Sequence, residues 1–241
     1  MIVPKLVLCQ PMFVSIPSRN RPIWRWAVPL LFVAVSITFL WSICRPGQAR
    51  STLWLDWGAL SGGFSRPRDL WATLQGGSLM RLFTALFLHA DWAHLLGNLV
   101  FLLIFGLPAE RILGSWRLLL LFLLGGALAN LAAVLTIGSP NHVIIGASGA
   151  VSALIGSYLA LFPGAKLGVV LPLGLFLEFI RVPAPLLIGV WALLQVVFAY
   201  TGPALGMVAW SAHLAGFVSG VVYGGCVRAA IVRRLRQRHG F

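Results

Sequence analysis

The chain is 241 residues long, with 18 Lys and Arg against 5 Asp and Glu, 59% hydrophobic residues and a mean hydropathy of +0.94. Charged residues make up 10%, where soluble globular chains carry about 25%. That composition excludes a disordered chain, a collagen-type repeat and a water-soluble cytosolic enzyme, and it leaves a polytopic membrane protein.

Residues 1–25 carry Lys5, Arg19, Arg21 and Arg25 without a convincing small-residue cleavage site, so they read as a cytoplasmic extension before an uncleaved helix. Crossing about 30 Å of hydrocarbon takes roughly 20 helical residues. Three apolar runs meet that length: Trp26–Cys44, Leu118–Ile137 and Pro203–Val227. Ala93–Ala109, Ser148–Pro163 and Val182–Tyr200 are shorter or more polar. The expected fold is therefore all-α, a bundle of six membrane spans over 26–228, closed by a basic cytoplasmic tail at 229–241.

Two stretches fall outside the spans. The loop Arg45–Trp92, rich in Trp54, Trp57, Phe64 and Trp71, is expected to lie outside and partly in the interface, where tryptophan is favoured. Leu167–Ile180 is apolar but broken by Pro172 and Glu178, too short for a crossing, and is placed at the cytoplasmic interface. With six spans, 13 of the 18 basic residues fall on the side of the two termini. The positive-inside rule makes that side the cytoplasm, and the expected setting is a bacterial inner membrane. Arginines gathered at loop edges match an anionic lipid surface and not a nucleic acid. Cys9, Cys44 and Cys226 show neither disulfide nor zinc spacing.

Polar groups inside a membrane are costly and mark function by default. Counting back from each helix's cytoplasmic end at 1.5 Å per residue places Ser148 and His213 about 22 Å up, His94 about 24 Å and Asn98 about 18 Å. Three helices thus bring polar groups to one layer. Ser148, in Gly146-Ala147-Ser148-Gly149, starts a short helix whose free N–H groups open inside the membrane. His213 precedes Gly216 and Gly220, a small-residue face that lets two helices approach closely. If that face meets the Ser148 helix, a neutral imidazole reaches the hydroxyl as a general base. His94 and Asn98, four residues apart, share one helix face as oxyanion donors. No acidic residue is expected at that depth, so a hydrolase would use a Ser–His dyad. The competing readings are a small-residue packing face around Ser148, a structural histidine, a proton-relay transporter, and a metal site at His89, His94 and His213. The metal site lacks an i, i+4 histidine pair and a deep carboxylate. No metal and no cofactor are expected.

Together these residues resemble the rhomboid family of intramembrane serine proteases. The motifs run in order from Arg81-Leu82-Phe83-Thr84 through Phe87-Leu88-His89, His94 and Asn98 to Gly106, Glu110, Arg111 and Gly114. They continue with Gly146-Ala147-Ser148-Gly149, Val182-Pro183-Ala184 with Trp191 and Gln195, and Ala212-His213-Leu214-Ala215-Gly216 with Gly220. The resemblance implies a six-helix core that cleaves membrane-anchored substrates near the outer face. Ser148 would be the nucleophile, His213 the base, and His94, Asn98 and the Ser148 N–H the oxyanion hole. Access would involve the fifth helix moving away from the second. The alternative with the same fold is an inactive binder of membrane helices. Two positions depart from the family pattern: Met80 stands where a Trp-Arg loop motif has tryptophan, and Ser152 where many members have a tyrosine packed on the catalytic histidine.

Overall fold

A computed structural model describes residues 24–61, 79–137, 142–173, 176–201 and 209–239. Most of the N-terminal extension, Phe64 and Trp71, and residues 203–208 of the expected last span lie outside the described residues. Among the described residues, eight α-helices, a short 3-10 turn at Ala85–Phe87 and two small ribbons follow in order. They are α1 (Ala27–Ile43), α2 (Gly47–Trp57), β1 (Ala59–Leu60), α3 (Leu79–Thr84) and α4 (Trp92–Leu113). After these come α5 (Ser115–Thr136), β2 (Val143–Ile144), α6 (Ser148–Leu161), β3 (Lys166–Leu173), β4 (Phe176–Pro183), α7 (Ala184–Thr201) and α8 (Trp210–His239). The chain is a helical membrane protein, and six of its helices correspond to the six apolar segments.

Their lengths differ from the expectation in an instructive way. α1 is a 17-residue helix, just short of a full crossing, while α4 runs 22 residues and passes the length test with α5 and with Trp210–Ile231 of α8. α4 gains its length by continuing through a π-helical turn, Leu102–Gly106, past Pro108 to Leu113. A wider turn of this kind absorbs one residue without breaking the helix.

The segment placed at the interface is an antiparallel hairpin, paired from Lys166↔Pro183 to Leu173↔Phe176. Val169, Val170, Phe179, Ile180 and Val182 supply the β-branched and aromatic residues that favour a pleated ribbon. A two-stranded ribbon has open edges, which hydrocarbon does not tolerate unless protein covers them. The loop after α1 also carries structure. β1 pairs with β2 through Ala59↔Ile144 and Leu60↔Val143, tying that loop to the approach to Ser148. α2 is held by Arg50, whose Nη2 donates to the Ala90 carbonyl at 2.6 Å, by Arg81 Nη1 to Leu55 O at 2.9 Å and by Thr84 Oγ1 to Trp57 O at 2.7 Å.

Glu110, near the end of α4, is 1% exposed. Its Oε1 accepts the Ala27 N–H at 2.8 Å and the Ser115 hydroxyl at 2.6 Å, and its Oε2 accepts the Val28 N–H at 3.2 Å. A helix start leaves its first N–H groups unpaired and carries a positive dipole end, so this carboxylate caps α1 from another helix. It also sets the start of α1 beside the end of α4.

α6 is the centre of the bundle, buried at every residue from Gly149 to Tyr158. α5 packs on one side, where Gly126 meets Ala150 and Leu86. α8 packs on another with Gly216, Gly220 and Gly224 against the carbonyls of Gly149, Ala153 and Ser157. A β-carbon on Gly220 would overlap the Ala153 carbonyl, whereas one on Gly225 meets nothing within 4 Å. Gly220→Ala should therefore cost about 1–3 kcal/mol of stability. Gly225→Ala should be neutral or gain up to about 1 kcal/mol from helix propensity. Thermal unfolding of both variants in detergent micelles checks this contrast.

Candidate active site

Ser148 and His213 come from α6 and α8, 65 positions apart, and their side chains meet: Ser148 Oγ lies 2.8 Å from His213 Nε2. The contact follows from the α6–α8 packing, because Gly216 stands one turn after His213 and rests on the carbonyl of Gly149. The other ring nitrogen, Nδ1, is 2.7 Å from Gln195 Oε1 on α7. Trp210 packs edge-on to the ring, with centroids 5.6 Å apart and planes at 88°. The Ser152 hydroxyl donates back to the Ser148 carbonyl at 2.7 Å.

The turn before Ser148 is shaped by two histidines. Gly146 has φ +118°, a conformation glycine adopts without a Cβ clash. A β-carbon there would also collide with the His94 imidazole, so His94 Nε2 sits directly over this turn. His94 Nδ1 is 3.5 Å from the Ala90 N–H, a long contact in which it can only accept, leaving the ring proton on Nε2. The backbone of His94 is fixed by Asp91, the N-cap of α4, whose Oδ1 accepts the His94 N–H at 2.8 Å. Asn98, one turn on, is buried, and its Nδ2 finds no hydrogen-bond partner among the described residues. A buried amide donor without a partner costs stability unless something else accepts from it.

His89 belongs to the Phe87-Leu88-His89 motif and to the competing metal reading, with no role in the expected Ser–His site. It is fully buried, 4.9 Å from His94 between ring centroids, and its Nε2 accepts the Ala147 N–H at 3.3 Å. Its Nδ1 is then the protonated nitrogen and faces the Phe87 carbonyl at 3.4 Å. His89 thus braces the turn immediately ahead of Ser148. A histidine standing alone in the apolar run Phe83–Leu88 and beyond was the available signal. Gln195 was visible only through the family resemblance, since a glutamine in an apolar helix has no spacing that names its partner.

Comparison with known proteins places this geometry in context. A family model described as the Rhomboid domain matches residues 76–230, well over half of the chain. YdcA of Bacillus subtilis (strain 168) is 39% identical over 84 residues, covering 34% of this chain and 41% of that protein. Rhomboid-like protein 11, chloroplastic, of Arabidopsis thaliana is 38% identical over 143 residues, 58% of this chain and 49% of its own length. RHOMBOID-like protein 5 from the same plant is 30% identical over 164 residues, 60% and 53% respectively. The chain thus spans about half the length of these curated relatives.

Burial, and next the neighbouring His94, push the His89 pKa from the ordinary 6.5 down to about 4. The unfolded chain then takes up a proton at about pH 6.5 that the folded one refuses until about 4. Stability is therefore complete above pH 6.5 and is lost as the pH falls towards 4, by roughly 3 kcal/mol. Unfolding midpoints across that range should fall steeply for the parent and less steeply for His89→Gln.

Proposed function

This chain belongs to the rhomboid family, and we propose that it acts there as an intramembrane serine endopeptidase with Ser148 as nucleophile and His213 as general base. The observation that carries this reading is the 2.8 Å contact between Ser148 Oγ and His213 Nε2, inside a helical membrane protein, at the start of a buried helix. A serine hydroxyl is a weak nucleophile until a base can receive its proton. The neutral imidazole stands in place to do so.

In the proposed reaction the Ser148 hydroxyl passes its proton to His213 Nε2 while Oγ attacks a peptide carbonyl of the substrate. The oxyanion that develops is met by donors already oriented around it. These are the Ser148 N–H at the unpaired start of α6, the His94 Nε2–H over Gly146, and the otherwise unpartnered Asn98 Nδ2. His213 then delivers its proton to the leaving amine. Water, activated by the same imidazole, hydrolyses the acyl-enzyme. No cofactor enters any step.

The substrate class follows from where the site lies. A transmembrane helix hides its carbonyls in i→i−4 hydrogen bonds. Cleavage is therefore expected at stretches of glycine and other small residues, where the helix unwinds most easily. The charge distribution supports an orientation with both termini in the cytoplasm and the Ser148 layer near the external face. A C-terminal fluorescent-protein fusion that folds and fluoresces in the cytoplasm checks the tail; a silent one reverses the orientation.

A fluorophosphonate should phosphonylate the full-length protein at Ser148 with loss of fluoride, and the labelling should disappear in Ser148→Ala and fall sharply in His213→Ala. Cleavage of a membrane-anchored reporter should drop by at least about 1,000-fold in either variant. Retention of full function by Ser148→Ala would establish a binder of membrane helices in place of a protease.

A further inference from the structure

We infer that Gln195 is a positioning residue that holds His213 in the one tautomer able to accept the Ser148 proton; the inference rests on the protease reading above. An amide oxygen accepts hydrogen bonds and never donates. With Gln195 Oε1 at 2.7 Å from Nδ1, the Nδ1 nitrogen must carry the ring proton. A neutral imidazole protonated at Nδ1 has its lone pair on Nε2, aimed at the Ser148 hydroxyl at 2.8 Å. The opposite tautomer would turn Nε2 into a donor towards serine and set the Nδ1 lone pair against the amide oxygen. It is both unreactive and repulsive.

The fold holds this amide in place. Gln195 is 6% exposed, and Trp191, one turn earlier on the same face of α7, packs on Phe217, one turn after His213 on α8. The two contacts form successive rungs between α7 and α8. The role is that of the carboxylate in a Ser–His–Asp triad, carried out by a neutral group. When the Ser148 proton arrives on Nε2, the Nδ1 proton stays where it is, still bonded to Gln195. The amide orients the imidazolium without lending it a negative charge.

Gln195→Met keeps the side-chain length and removes the acceptor, while Gln195→Glu keeps an acceptor. In the full-length protein, Gln195→Met should lower both the fluorophosphonate labelling rate of Ser148 and kcat for a membrane-anchored reporter by about 10- to 100-fold, with KM unchanged. Gln195→Glu should restore most of both rates. Nitrogen-15 NMR of histidine-labelled parent should show His213 protonated at Nδ1, with the His213→Ala spectrum assigning the signal. In Gln195→Met that signal should move towards a mixture of tautomers. Parent-like labelling in Gln195→Met, or a parent His213 protonated at Nε2, overturns the inference. If Gln195→Met fails to fold, the parent spectrum and Gln195→Glu still decide it. If the parent neither labels nor cleaves, the protease reading falls by itself, and the spectrum still reports whether Gln195 sets the tautomer.

Discussion

Helices α6 and α8 approach so closely that glycine α-carbons of one meet backbone carbonyls of the other, and the candidate site exists because of that contact. Gly216 lies on the Gly149 carbonyl and Gly220 on that of Ala153. In hydrocarbon no water is released when two apolar helices meet, so association depends on close packing and polar contacts between them. Small residues bring the two backbones near enough for a serine and an imidazole to hydrogen-bond. A larger residue at Gly216 would separate α8 from α6 and with it His213 from Ser148.

The same close packing makes α6 a poor membrane span and a good platform. Fourteen residues cover about 21 Å, less than the hydrocarbon thickness, so the helix begins within the protein and not at a surface. Its first N–H groups would be a liability there if nothing accepted from them. The surrounding polar residues divide that task. His89 accepts the Ala147 N–H, while the Ser148 N–H at the start of α6 is, in the proposed reaction, left for the oxyanion. At the other end of the bundle Glu110 solves the same problem for α1 by accepting two of its first N–H groups. Glu110, His89 and Gln195 each serve a backbone group or another side chain, which is how such groups persist at depth.

The loop between α1 and α4 belongs to this arrangement. Arg50 binds the carbonyls of His89 and Ala90, and β1 pairs with β2 just ahead of Gly146. β1 therefore ties to the strand that leads into the turn before Ser148, and Arg50 of α2 holds the His89–Ala90 backbone, whose histidine accepts the Ala147 N–H of that turn. Trp54 receives the Arg50 guanidinium over its ring at 5.0 Å, so the tryptophan-rich character of the loop also anchors the arginine.

Much of this was legible in the amino-acid order, and for a clear reason. Hydrophobic length reports where a chain can cross a membrane, and any polar group within such a stretch stands out against its cost. Ser148, His213, His94 and Asn98 were conspicuous on that ground, as was the Gly216/Gly220 face. Leu167–Ile180 reads as too short and too interrupted to cross, though nothing in its spacing names the β-ribbon at Lys166–Pro183. What the sequence alone could not determine is which groups satisfy one another. Ala27 meets Glu110 across 83 positions, Ala147 meets His89 across 58, and Gln195 meets His213 from a neighbouring helix. Periodicity tells which side of a helix is buried, but the identity of the facing helix is a property of the packed bundle, so those partners were decided only by the tertiary structure.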